Sequence, residues 1–181
     1  MDTVNDESFQ RLFSNISLLK SLKFLTLGFL QEKLLIDNDL EILAQTLHQS
    51  TQLRDLALDF SNASLITDQG VAALASGIQE VKNLRRLSLR FGNNNGINEK
   101  GIQRIGEVLM NLDSLYSVEF HFVWCRKIQS FCGLFRALKQ MANIEEMRLI
   151  LHESQENRKE VEDLKRTKSV NIFWLPNILG R

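Results

Sequence analysis

Cysteine is scarce in this chain. Cys125 and Cys132 are the only two in 181 residues, too few for a disulfide framework and without the paired C-x-x-C spacing of a zinc site. That points to a reducing compartment. Net charge is missing as well: 22 basic residues balance 22 acidic ones, so no overall field draws the chain to nucleic acid or to an anionic membrane. Electrostatic recognition has to come from local patches. No apolar run approaches the length of a membrane span, and the stretch from Met1 to Ser8 carries Asp2, Asp6 and Glu7 where a secretory signal would carry basic residues. The expectation is one domain, cytoplasmic, with no membrane insertion.

What the chain does have is an internal repeat, and a repeat overrides any element-by-element reading. The pattern L-x-x-L-x-L occurs as Leu22, Leu25, Leu27, then as Leu53, Leu56, Leu58, and then as Leu84, Leu87, Leu89, a period of 31 residues. Softer copies follow at Leu115, Val118, Phe120 and at Ile144, Met147, Leu149, with a degenerate sixth at Val170 and Ile172. Between them runs a second pattern with the i, i+3, i+7 spacing of one helix face: Phe9, Leu12, Ile16; Leu40, Leu43, Leu47; Val71, Leu74, Ile78; Ile102, Ile105, Leu109; and Phe131, Leu134, Leu138. The two patterns keep a constant phase, so strand and helix alternate along the chain.

Three further registers refine this. Phe29, Phe60, Phe91, Phe122, Leu151 and Trp174 stand two residues beyond the strand leucines, on the same side of the pleat, and read as an aromatic spine. Phe13, Ala44, Ala75, Gly106 and Phe135 are small in the internal units, which lets neighbouring helices approach, and large in the flanking ones, where a capped solenoid lacks a neighbour on one side. The strand-to-helix loops Asn62, Ile66, Asp68, Gly70 and Asn93, Ile97, Glu99, Gly101 pair asparagine, which is able to bond loop backbone, with glycine, which is able to take positive φ. The fourth unit replaces this with Val123, Trp124, Cys125, Arg126 and Lys127, a candidate functional insertion.

The combination N-x-x-x-I-x-D-x-G, helix, L-x-x-L-x-L resembles the ribonuclease-inhibitor-like class of leucine-rich repeats over most of the chain. The 31-residue period and the apolar residue before the asparagine resemble in particular the long-period repeats abundant in ciliate proteins. The resemblance implies an α/β curved solenoid, with parallel strands on the concave face, helices on the convex face, and a use in protein binding. About five repeats (22–151) would follow an N-terminal capping helix (1–21) and precede a C-terminal cap and apolar tail (152–181).

Catalytic and cofactor chemistry finds little support. Gly92, Gly96 and Gly101 surround asparagines and Lys100, but the G-K-[ST] ending of a phosphate loop is absent and a repeat turn explains them. His48, His121 and His152 have no metal-ligand partner at i+3 or i+4. Cys125 lies near Arg126 and Lys127 but has no identifiable base. No enzyme, metal or cofactor is expected.

The positions between the strand leucines point out of the sheet, and they are charged in stripes. At the spacing of adjacent parallel strands, Asp55 should flank Arg86, Asp59 should flank Arg90, and Glu119 should flank Arg148. As lateral ion pairs on a wet sheet each contributes about 0 to 1 kcal/mol. As a patterned surface, Asp55, Asp59, Arg86, Arg90, Glu119 and His121 select a protein partner, since complementary charge contributes specificity. Residues His152 to Lys168, rich in Glu, Lys and Arg with Val161 and Leu164 as anchors, read as a terminal helix. Leu175, Ile178 and Leu179 form an apolar tail around Pro176 with no slot in the repeat, folded over the solenoid end or inserted into a partner. Together with Trp124 these are the candidate protein-binding residues. The functional expectation is a non-catalytic interaction or scaffold module within a hetero-complex, ciliary or cytoskeletal if the ciliate resemblance holds. The alternative is an enzyme regulator, such as a GTPase activator or inhibitor.

Overall fold

The computed structural model describes residues 4–29, 35–152 and 158–175. Within them helices and strands alternate: α1 (Val4–Ser17), β1 (Phe24–Gly28), α2 (Asp37–His48), β2 (Asp55–Asp59), α3 (Asp68–Gln79), β3 (Arg86–Arg90), α4 (Glu99–Leu109), β4 (Ser117–Phe122), α5 (Cys132–Gln140), β5 (Glu146–His152), α6 (Arg158–Thr167) and β6 (Val170–Leu175). The strands form one parallel sheet in chain order, and each helix lies against the next. Neighbouring parallel strands stand about 4.8 Å apart, whereas packed helices need about 8 to 10 Å. The helix layer therefore follows the longer arc, and the sheet becomes the inner, concave wall.

The repeat sets the register. Leu25, Leu56, Leu87, Val118 and Met147 align across five strands, as do Leu27, Leu58, Leu89, Phe120 and Leu149, and Val170 and Ile172 extend both rows into β6. A one-residue slip would turn each row to water. The helix triplets meet these rows from the other side: Leu40, Leu43, Leu47, Val71, Leu74, Ile78, Ile102, Ile105 and Leu109 are all buried. Val161 and Leu164 anchor α6 as their spacing predicts.

Phe29, Phe60, Phe91 and Phe122 stack in a continuous column with centroid separations of 5.4, 5.3 and 5.8 Å. Phe9 and Phe13 close the column against Phe29, and Phe131, followed by Phe135, closes it beyond Phe122. Phe13 and Phe135 are thus large because they terminate an aromatic stack. Absence of a neighbouring helix does not explain Phe135, since α5 has α6 beside it. Helices do approach closely at the small positions: a Cβ on Gly77 in α3 would lie 2.5 Å from the Cα of Ala44, and one on Gly106 would lie 3.1 Å from the Gly133 carbonyl.

The loops divide their labour differently from the sequence reading. Among the described residues no glycine has positive φ; Asn62 (69°), Asn93 (57°) and Trp124 (60°) do. Asparagine tolerates this region best among side chains bearing a Cβ. Asn62 and Asn93 send their N–H groups to the next loop, at Gly92 O (2.8 Å) and Val123 O (2.7 Å), and the Asn93 side chain donates to Asn62 Oδ1 (2.9 Å). The glycines serve close approach instead. A Cβ on Gly101 would meet Asp68 Oδ1 at 2.6 Å, the atom that accepts from the Asn98 and Gly101 N–H groups. Asp37 receives Thr67 in the same manner, and Glu99 receives Gln129. A carboxylate in the first turn of each of these helices therefore complements the helix dipole and ties down the following loop.

This register also corrects the fourth loop, which is not an insertion. Trp124 occupies the Asn62 and Asn93 slot, Cys125 that of Ala63 and Asn94, and Ile128 that of Ile66 and Ile97; Cys125 and Ile128 are buried like their counterparts. The Cys125 thiol donates to Phe91 O at 2.9 Å, and burial pushes its pKa up to about 11. It is a core thiol, opposite to the activated state its basic neighbours suggest.

Candidate functional site

The outward positions of β2 to β5 assemble on the concave wall as two charge clusters. Asp55 and Arg86 are register partners and form an ion pair. Asp59 and Arg90 are also register partners, but Arg90 stands 4.0 Å from Asp59 and reaches diagonally across the sheet to Glu119, at 3.1 Å from Nε and 2.5 Å from Nη2. Glu119 in turn lies 3.6 Å from Arg148, and the Arg148 guanidinium sits over the Phe173 ring at 5.5 Å. One run of alternating charge thus crosses β2 to β5 and ends on an aromatic face in β6. Asp59 also accepts the Ser61 N–H at 2.9 Å, which fixes its carboxylate.

His121 lies between Arg90 and Ile150 in register. Its pKa is lowered first by burial and then by Arg90, so at neutral pH it adds no positive charge to the face. A histidine held neutral in the fold but free to protonate when unfolded costs stability only under acid. The thermal midpoint should accordingly decline as pH falls from about 7 through the unfolded histidine value near 6.5 toward the lower folded value. The variant His121→Gln should decline less over that interval, measured by circular dichroism melts; parallel curves would remove His121 from the account.

Beside the charges the wall is low. Thr26, Gly28, Ala57 and Ser88 floor two open clefts of about 310 and 260 Å³, with Asp55, Arg86, Asp59 and Arg90 along them. Phe24 stands at the β1 end, 62 % exposed. The other predicted residues lie apart. Trp124 is in the loop after β4, 47 % exposed. Leu175 belongs to β6, paired in register with His152, so its backbone does have a place in the ladder and is not part of a free tail. Ile178 and Leu179 lie outside the described residues. Phe173 is absent from the outward positions read from the sequence, which end at Ile150 in the fifth strand; its place between Ile172 and Trp174 was the available signal. Among the described residues there is no cluster of His, Cys, Asp and Glu able to hold a metal, and no helix is long and apolar enough to cross a membrane.

Fold and face together define an α/β solenoid of leucine-rich-repeat type with a charged inner sheet. No protein-family model and no curated protein sequence matches the chain. Solved structures do. The structure described as Leiomodin-1 Actin-Binding Site 2 superposes with a TM-score of 0.62 at 20 % identity, covering 92 % of this chain and 90 % of that one. The tropomodulin C-terminal domain from Caenorhabditis elegans gives a TM-score of 0.61 at 16 % identity, covering 90 % and 92 %. At these identities the likeness is one of fold.

Proposed function

We propose that the chain is a non-catalytic protein-binding module of a cytoskeletal hetero-complex, and that it takes actin on its concave sheet. The observation that carries this reading is the run of charge from Asp59 through Arg90 and Glu119 to Arg148, open to solvent on a wall floored by small residues. Exposed pairs of this kind contribute about 0 to 1 kcal/mol each to stability, so the fold has little use for so long a pattern, whereas a partner of complementary pattern gains specificity from it. Actin as the partner is supported by the fold shared with the leiomodin-1 structure, which is named for an actin-binding site. A ciliary address would rest on the repeat resemblance alone and is not part of the proposal.

The test is binding of the purified chain to monomeric and filamentous actin by fluorescence titration and co-sedimentation. The wild-type chain should bind at least one form. Reversing Arg86 and Arg90 together to glutamate should weaken binding by at least about tenfold, near 1.4 kcal/mol, with helix content unchanged. Binding that survives the reversal would return these residues to lateral pairing within the sheet, and no binding to either form would remove actin as the partner.

A further inference from the structure

Trp124 is the residue whose position the fold explains least. Its slot in the two preceding units holds Asn62 and Asn93, which take the same positive φ and join side chain to side chain. A tryptophan bears that backbone conformation poorly and cannot continue the amide ladder. Nor does its ring fill the core: Val123 and Cys125 on either side are fully buried, while Trp124 is half exposed. Strain retained at a residue whose side chain stays half exposed points to function. The next exposed residues are Arg126 and Lys127. Arg86, Arg90 and Arg148 all have carboxylate partners on the sheet, whereas among the described residues neither Arg126 nor Lys127 has a carboxylate within ion-pair distance. The Arg126 backbone N–H is pinned by Asn95 Oδ1 at 3.3 Å, and that of Gln129 by Glu99, so the loop is fastened on both sides of the two cations.

We infer that Trp124, Arg126 and Lys127 form an anchor at the rim of the concave sheet for an acidic, apolar-containing segment of a protein partner. The inference rests on the protein-binding reading and deepens it. The indole supplies a rigid apolar contact of the kind that dominates interfaces, and the two cations, which have no ion pair among the described residues, fix the sign of the segment that lies beside it.

The experiment selects a phage-displayed library of random peptides on the full chain, then measures the enriched peptides by fluorescence polarisation against the wild type, Trp124→Asn, Trp124→Phe and the double variant Arg126→Glu with Lys127→Glu. Enriched peptides should be net acidic and carry an apolar or aromatic residue. Trp124→Asn and the charge reversal should each weaken binding at least tenfold, and Trp124→Phe should retain part of it. The readout that separates this from a structural role is thermal: Trp124→Asn restores the ladder residue, so its melting midpoint should equal or exceed the wild type. Failure to enrich, enrichment of basic or neutral peptides, retention of duplex DNA in their place, unchanged binding by Trp124→Asn, or a midpoint lowered by several degrees would each overturn the assignment. Actin binding that is lost on reversing Arg86 and Arg90 but intact in Trp124→Asn would sink this inference and leave the proposed function standing. Acidic peptide binding without actin binding would do the reverse.

Discussion

Replacing Phe91 by alanine should lower the unfolding free energy by about 3 to 5 kcal/mol, at the upper end for large-to-small core changes. The ring is fully buried and stands between Phe60 at 5.3 Å and Phe122 at 5.8 Å. The cavity cannot close by sliding one neighbour, because the flanking backbones are fixed: the Phe60 N–H donates to Arg90 O and the Phe91 N–H to His121 O, both at 2.8 Å. In a solenoid each unit is stabilised only by its neighbours, so a void in the central unit also weakens the coupling between the two ends. Urea denaturation followed by circular dichroism should show an earlier and broader transition. Phe91→Leu, which keeps most of the volume, should lose about half as much or less. A loss under about 1 kcal/mol for the alanine variant would mean that the aromatic column is not a structural element.

Gly96→Ala should be the most damaging single-methyl addition in the loops, costing about 1 to 3 kcal/mol or more. The φ of Gly96 is not positive, so the argument is one of space. A Cβ there would fall within the van der Waals envelope of the Ile66 carbonyl oxygen and 3.3 Å from Thr67 Cα. Both are backbone atoms of the preceding loop, held by Ile66 N donating to Ala63 O and by Thr67 N donating to Asp37. Neither can yield as a side-chain tip would. Gly28→Ala, with nothing within 4 Å of its Cβ position, is the matched control and should stay within about 0.5 kcal/mol of the wild type in the same denaturation experiment. Equal effects at the two sites would contradict the loop packing described here.

The legibility of this protein follows from where its information lies. Strand register, helix faces and the phenylalanine column repeat with a fixed period, and periodic burial is what a single sequence displays most plainly. Leu89 and Phe91 could be placed from spacing alone. What escaped were features carried by departures from the period or by reach across it. Arg90 was expected beside Asp59 because both occupy the same repeat position, yet a long guanidinium also spans a diagonal to Glu119. Phe173 escaped because the sixth strand shows its period only in the inward row, Val170, Ile172 and Trp174, and the outward residue between them has no repeat of its own type to follow. The fourth loop reads as an insertion because its chemistry changes, yet Cys125 and Ile128 sit where Asn94 and Ile97 sit and the stretch from Trp124 to Phe131 is shorter than that from Asn93 to Ile102. Glycine in these loops is able to take positive φ, but among the described residues asparagine takes that role and glycine makes room.

The central claim, that the concave wall is the binding side, is tested most directly by hydroxyl-radical footprinting of the chain alone and bound to actin. The readout compares exposed oxidisable residues on the two sides: Phe24, Trp124 and Phe173 on the sheet and its rim, against Leu12 and Met110 in the helix layer. Strong protection of the sheet-side residues with Leu12 and Met110 unchanged is the predicted result. Protection confined to Leu12 and Met110 would place the partner on the helices and contradict the account.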